Sequence, residues 1–234
     1  MTDRLAVVRK RMALAAEQAG RSLDRVQLVA VTKTIPAARI REAFACGVRA
    51  VGENRVQEAL EKQAELSDLP LEWHLIGHLQ TNKVKQVVGR FALIHSVDSM
   101  RLLHAIDQAA RAKGIRQDIL LQVNVAEEPT KFGFRIDAVP EALQEARRLA
   151  GVTVRGFMTI APYVSDPEEV RWVFRRLAEL AARERRDPSE LAQLSMGMSS
   201  DYPMAIAEGA TLVRIGTGIF GERPGRPGLD EEAT

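Results

Sequence analysis

Apolar residues recur along this chain in two alternating rhythms. Short runs of small or branched apolar residues give way to longer stretches in which apolar positions return every three or four residues. Residues 3–19 are of the second kind. Leu5, Val8, Met12, Ala15 and Ala16 share one helical face, and Gly20 is a stop. Residues 26–33 are of the first kind. The run Val26-Gln-Leu-Val-Ala-Val-Thr-Lys33 reads as a strand buried on both faces, and Pro36 then suits the first turn of a helix.

The same alternation continues to the end of the chain. Further strands are predicted over residues 48–51, 71–76, 91–95, 118–125, 152–158, 191–195 and 211–215. Helices are predicted over 36–46, 53–66, 80–89, 98–113, 137–150, 167–184 and 201–208. Strands separated by helices mean βαβ units and a parallel sheet. Eight such units in 234 residues suit a single (β/α)₈ barrel, typically ~250 residues, better than the alternative, an open doubly wound sheet. The helix over 3–19 precedes the first strand and is an addition to the barrel. No composition shift divides the chain, so residues 1–223 are expected to form one barrel domain. Residues 224–234, rich in glycine, proline and acids, are expected to be a frayed tail.

Composition removes several classes of function. The net charge is only +2 and the basic residues are interleaved with acids, so a nucleic-acid partner is not expected. No run reaches membrane-spanning length and the first residues lack a signal-peptide core, so a cytoplasmic protein is expected. Cys46 stands alone at an apolar helix end and is expected to be a buried, inert thiol. His74 and His78 are four apart, but Gly77 and the predicted strand break the helical geometry that a metal pair needs, so no metal is expected. His104 belongs to an amphipathic helix.

Candidate chemistry collects at the predicted strand ends, where a barrel of this type carries its catalytic groups. Lys33 closes the first strand. A lysine there is either a snorkelling side chain or an amine whose pKa is depressed from about 10.4 so that it can attack a carbonyl. Glu53 and Asn54 follow the second strand, His74 the third, His95 and Ser96 the fourth, Asn124 the fifth. The seventh ends in Ser195-Met-Gly-Met-Ser199 and the eighth in Arg214-Ile-Gly-Thr-Gly-Ile-Phe-Gly221. Backbone amides of those glycines, with the Ser199 and Thr217 hydroxyls, suit an anion, and the loops after strands seven and eight are the usual phosphate site of such barrels. Residues 216–221 also match G-x-G-x-x-G, but they close the last strand instead of opening a βαβ unit, which excludes a dinucleotide fingerprint. Lys131, in a turn-rich loop, is a weaker covalent candidate that can gate the pocket.

Taken together, Val31-Thr-Lys-Thr-Ile-Pro36, Gly52-Glu-Asn-Arg-Val-Gln-Glu58, Trp73-His-Leu-Ile-Gly-His-Leu-Gln-Thr-Asn-Lys83, Lys131-Phe-Gly-Phe134, Ser195-Met-Gly-Met-Ser199 and Arg214-Ile-Gly-Thr-Gly-Ile-Phe-Gly221 resemble the pyridoxal phosphate homeostasis protein family, in the same order, from about residue 5 to residue 223. The resemblance implies one barrel similar to the N-terminal domain of alanine racemase. It implies pyridoxal 5′-phosphate held as a Schiff base on Lys33, with Ser199, Gly216 and Thr217 at the phosphate. Asn54 would stand beside the ring, and Arg214 near the ring nitrogen or the phosphate. An arginine at the ring nitrogen keeps it unprotonated and weakens the ring as an electron sink. The function implied is storage, buffering or delivery of the cofactor to pyridoxal phosphate-dependent acceptor enzymes, by a monomer without strong catalysis of its own. Two enzyme readings stand beside it. A racemase needs a second acid/base, for which the tyrosines are Tyr163 and Tyr202. A cofactor-free Schiff-base aldolase on a sugar phosphate needs a carboxylate, for which Glu53 is the candidate.

Overall fold

The computed structural model describes residues 1–221; the predicted frayed tail at 224–234 lies outside the described residues. Eight parallel strands close into a barrel in sequence order. They are β1 (Gln27–Val31), β2 (Ala50–Glu53), β3 (Glu72–Leu75), β4 (Leu93–Val97), β5 (Gln117–Gln122), β6 (Val152–Met158), β7 (Gln193–Ser195) and β8 (Leu212–Ile215). The pairing of β8 with β1, Leu212 opposite Gln27 and Arg214 opposite Val29, closes the ring. The doubly wound alternative is thereby excluded.

The helices are α1 (Thr2–Gln18), α2 (Ala37–Ala45), α3 (Val56–Glu65), α4 (Val84–Val87), α5 (Met100–Ala112), α6 (Val139–Ala146), α7 (Arg171–Glu184), α8 (Tyr202–Ala207) and α9 (Thr217–Phe220). The buried face of α1 is Leu5, Val8, Met12, Ala15 and Ala16, as its spacing predicts, and it lies against α8 and α9. Each large aliphatic residue on that face contributes about 1.5–3 kcal/mol of burial. α9 was not expected: Gly216-Thr217-Gly218 reads as a loop, but Gly216 caps one helical turn.

The core has two parts. The larger lies between the strands and the helices around them. The smaller fills the lumen with Val29, Ala50, Leu93, Leu120, Met158 and Leu212, drawn from six strands. Side chains alternate across a strand, so residues two positions further on also face inward. For β4 and β8 those are His95 and Arg214, both buried. The lumen is therefore apolar at one level and polar at the next, nearer the C-terminal mouth.

Three predicted boundaries move. β2 runs through Glu53, which was assigned to the following helix; β4 runs past the predicted 95 to Val97, taking in Ser96; and β5 stops at Gln122, short of the predicted 125. Glu53 stays in its strand because the Thr32 hydroxyl and the Lys62 ammonium meet it in the interior.

Candidate functional site

Lys33 lies in a turn two residues beyond the end of β1, half-buried. The residues on either side of it are tied to one ammonium. Lys62, on α3 and almost fully buried, donates to the Thr32 carbonyl at 2.6 Å, to Glu53 Oε1 at 2.8 Å and to Glu58 Oε1 at 2.6 Å. Glu58 Oε1 also accepts the backbone N–H of Thr34. Glu53 Oε1 accepts the Thr32 hydroxyl at 2.6 Å. Thr34 has φ 63°, a left-handed conformation that a β-branched residue holds only under constraint. The Glu58 contact supplies that constraint.

Burial pushes the Glu53 carboxyl above its usual range, against the pull of Lys62 and Thr32. Its second oxygen, Oε2, has no hydrogen-bond partner. Burial also pushes Glu58 up, but the bonds from Lys62 and the Thr34 amide outweigh it and leave that carboxyl below its usual range. Glu53 Oε1 is thus committed to Thr32 and Lys62.

Arg214 is 4% exposed. It donates through Nη1 to Ser195 Oγ at 2.6 Å and through Nη2 to the Thr159 carbonyl at 2.9 Å, just past the end of β6. Burial pushes its guanidinium down to about 10, opposed by the charge of Asp201, so it remains a cation at neutral pH. Ser195 Oγ is 2.8 Å from His95 Nδ1, and His95 Nε2 is 2.8 Å from His74 Nδ1. Burial, then the neighbouring His74 and Arg214, holds His95 well below 6.5. The two histidines predicted at strand ends are therefore lumen residues.

The loops after β7 and β8 meet beside α1. Arg4, Ser199, Thr217, Gly218, Phe220 and Gly221 line a cavity of ≈ 650 Å³. Ser199 Oγ accepts a 3.4 Å bond from the Gly218 N–H. Gly197 has φ 91°, and a Cβ there would sit 2.6 Å from Ala205 Cβ, so the turn after β7 requires glycine. Arg4 was not foreseen. It lies on the exposed side of α1 and joins the cavity only because that helix lies against α9.

Asn54 follows β2 directly. A Cβ on Gly77 would come within 2.3 Å of the Asn54 carbonyl oxygen, so the chain after β3 passes tightly over this residue. The Asn54 side-chain oxygen is buried without a hydrogen-bond partner. Gly216 lies at the end of β8, and a Cβ on it would be 3.4 Å from Val31 Cβ. The six predicted site residues therefore stand at the mouth ends of β7, β8, β1 and β2, four strands adjacent in the barrel.

The remaining candidates separate from this group. Tyr163 is 95% exposed, and Tyr202 is buried within α8. Lys131 is exposed; its neighbour Phe132 stacks on His78 at 4.1 Å, and His78 pairs with Asp98 at 2.9 Å. Cys46 is half-buried beside the Thr2 hydroxyl, less enclosed than expected. Among the described residues no group of three or more His, Cys, Asp or Glu can hold a metal, and no helix is long and apolar enough to cross a membrane.

The alanine racemase N-terminal domain family model matches residues 4–224. The pyridoxal phosphate homeostasis protein of Aquifex aeolicus is 48% identical over 222 residues, 94% of this chain and 97% of that protein. The protein of the same name from Pseudomonas aeruginosa is 42% identical over 223 residues, 95% of this chain and 96% of that one. Among solved structures, PipY of Synechococcus elongatus with pyridoxal phosphate bound matches with a TM-score of 0.82 and 43% identity, covering 94% of this chain and 99% of that one. An alanine racemase of Clostridium difficile matches with a TM-score of 0.72 at 15% identity, over 95% of this chain and 57% of that one, which is a likeness of fold alone.

Proposed function

This chain belongs to the pyridoxal phosphate homeostasis protein family, and from that premise we propose that it binds pyridoxal 5′-phosphate at the barrel mouth and keeps it available to the enzymes that require it. When bound, the cofactor supplies an aldehyde open to attack by amines and a pyridine ring that can accept electrons. The observation that carries the reading is the convergence of one lysine, one orphaned amide oxygen, one buried cation and one hydroxyl-lined cavity on four adjacent strand ends.

The residues fit the group. Lys33 supplies the amine, and condensation with the aldehyde forms one C=N bond and releases one water. The clamp of Lys62, Glu53 and Glu58 fixes the backbone that presents it. Ser199, Gly216 and Thr217, with Arg4 beside them, line the phosphate site, where amides, hydroxyls and a guanidinium suit a dianion. The buried, unpartnered Asn54 oxygen is a polar group in want of a ligand beside the ring. Arg214 would face the ring nitrogen or the phosphate, and a guanidinium at the ring nitrogen would keep that nitrogen unprotonated.

That last feature separates a carrier from an enzyme. A ring kept unprotonated is a poor electron sink, and Tyr163, the tyrosine that follows β6, points to solvent instead of serving as a second acid/base. The racemase reading is left without a proton donor among the described tyrosines, and the aldolase reading would rely on a Glu53 whose Oε1 already binds Thr32 and Lys62. We place the chain outside the enzymes, as a monomeric cytoplasmic store that hands its cofactor to pyridoxal phosphate-dependent acceptor enzymes. The test is the visible absorption spectrum of the protein with pyridoxal phosphate, followed by addition of an amino acid and measurement of its chirality. A yellow band without racemisation or other turnover is expected. Turnover would move the protein to the enzyme class, and no band would exclude the cofactor site.

A further inference from the structure

The buried polar residues below the mouth do not form a random cluster; their hydrogens can be assigned in only one direction. Arg214 donates at every nitrogen, so Ser195 Oγ accepts from it. The serine has one proton left and one neighbour to take it, His95 Nδ1 at 2.8 Å. His95 then carries its own proton on Nε2 and donates to His74 Nδ1 at 2.8 Å. His74 carries its proton on Nε2, which lies 3.1 Å from Glu72 Oε1. That last contact is off the line of a good hydrogen bond and acts as an electrostatic one. Glu72 is the first residue of β3, at the opposite end of the barrel from the mouth, and its other oxygen accepts the Gln27 amide at 2.8 Å.

The reverse assignment fails twice. It gives Ser195 two donors and leaves its own proton without an acceptor in a fully buried site, which is costly. It also turns a bare His74 Nε2 toward the Glu72 carboxylate. One further fact agrees with the forward direction. Burial with His74 and Arg214 nearby keeps His95 neutral, as a donor-acceptor link must be.

We propose that Ser195, His95, His74 and Glu72 form a directional hydrogen-bonded line through the barrel lumen that positions Arg214 for the cofactor. These are positioning residues: none needs to touch the cofactor. The line spans the barrel from the mouth to the base, so a change at half-exposed Glu72 is felt at Arg214 through three intervening side chains. The positioning role rests on the reading of Arg214 facing the cofactor; the line itself does not, because it exists in the cofactor-free protein.

The experiment has two arms. In the first, imidazole ¹⁵N NMR of the cofactor-free protein should show both His74 and His95 as neutral rings protonated on Nε2. Glu72→Ala, half-exposed and so safe for folding, should shift the ring signals of His95 as well as those of His74. A His95 proton on Nδ1, or His95 signals indifferent to Glu72→Ala, would overturn the line. In the second, pyridoxal phosphate affinity should fall about tenfold in Ser195→Ala, as expected for losing one charge-assisted bond, recover in Ser195→Thr, and fall about two- to threefold in Glu72→Ala. Arg214→Gln separates the two claims. If it weakens binding and Ser195→Ala and Glu72→Ala do not, the positioning role is overturned and the reading of Arg214 stands. If Arg214→Gln leaves affinity unchanged, both fall.

Discussion

The two halves of the mouth hold their key cations by opposite means. Under Lys33, an ionic cluster of Lys62, Glu53 and Glu58 grips the backbone on either side of the lysine. Under Arg214, the Ser195 hydroxyl, backed by the His95 and His74 rings, grips the guanidinium itself. On the proposed function, the difference follows from what each residue would have to do. A covalent anchor would have to be presented at a fixed point of the chain, which is a backbone problem, and charges on a neighbouring helix solve it. A cation that faces the cofactor would need its head group held, and uncharged donors and acceptors next to it do so without cancelling its charge.

The predicted effects that sharpen this contrast fall in order of size. Lys33→Ala should abolish covalent retention of pyridoxal phosphate while leaving the fold intact; retention and chemical denaturation measure the two. Lys62→Met should destabilise by about 3–5 kcal/mol, because it leaves Glu53 buried without its counter-ion. A loss below 1 kcal/mol in a denaturant titration would remove the clamp from the account. Arg214→Gln should keep the fold and weaken retention about tenfold, near 1.4 kcal/mol, since the amide carries no charge; an unchanged occupancy would place Arg214 outside the site.

The smallest effect is one of pH, and its sign is set by His95. The unfolded chain takes up a proton on this residue as pH falls through about 6.5, whereas the folded lumen keeps the ring neutral well below that. The unfolded state then binds more protons, so the contribution is present above pH 6.5 and stability declines as pH falls below it. Between pH 7 and 5.5, above most carboxylate titrations, the wild type should lose stability and His95→Gln should lose less. Equal slopes would mean that the ring is not held neutral.

Much of the architecture was legible before the structure was known. β6 runs over the predicted residues 152–158, and the buried face of α1 is the predicted one. Both rest on short-range periodicity, which packing reinforces. What periodicity could not show were contacts between residues far apart in the chain. Lys62 looks like any lysine of a polar helix, yet its partner Thr32 lies thirty residues away. Glu53 is tolerated inside a strand only because Lys62 meets it. Ser195 gains its role from Arg214 on one side and from His95, a hundred residues away, on the other. Arg4 reaches the cavity between the loops after β7 and β8 through helix packing that no motif records. The proposed site residues that sequence reasoning named, Lys33, Asn54, Ser199, Arg214, Gly216 and Thr217, stand within or beside strand ends, where a polar residue or glycine interrupts an apolar run.

The central claim is that Lys33 is the covalent anchor, and the most direct measurement is a peptide mass map after borohydride reduction of the protein saturated with pyridoxal phosphate. The account predicts one reduced phosphopyridoxyl group on the peptide containing Lys33 in the wild type and none in Lys33→Ala. A group on another lysine, Lys131 or Lys62 included, with Lys33 unmodified, would contradict it.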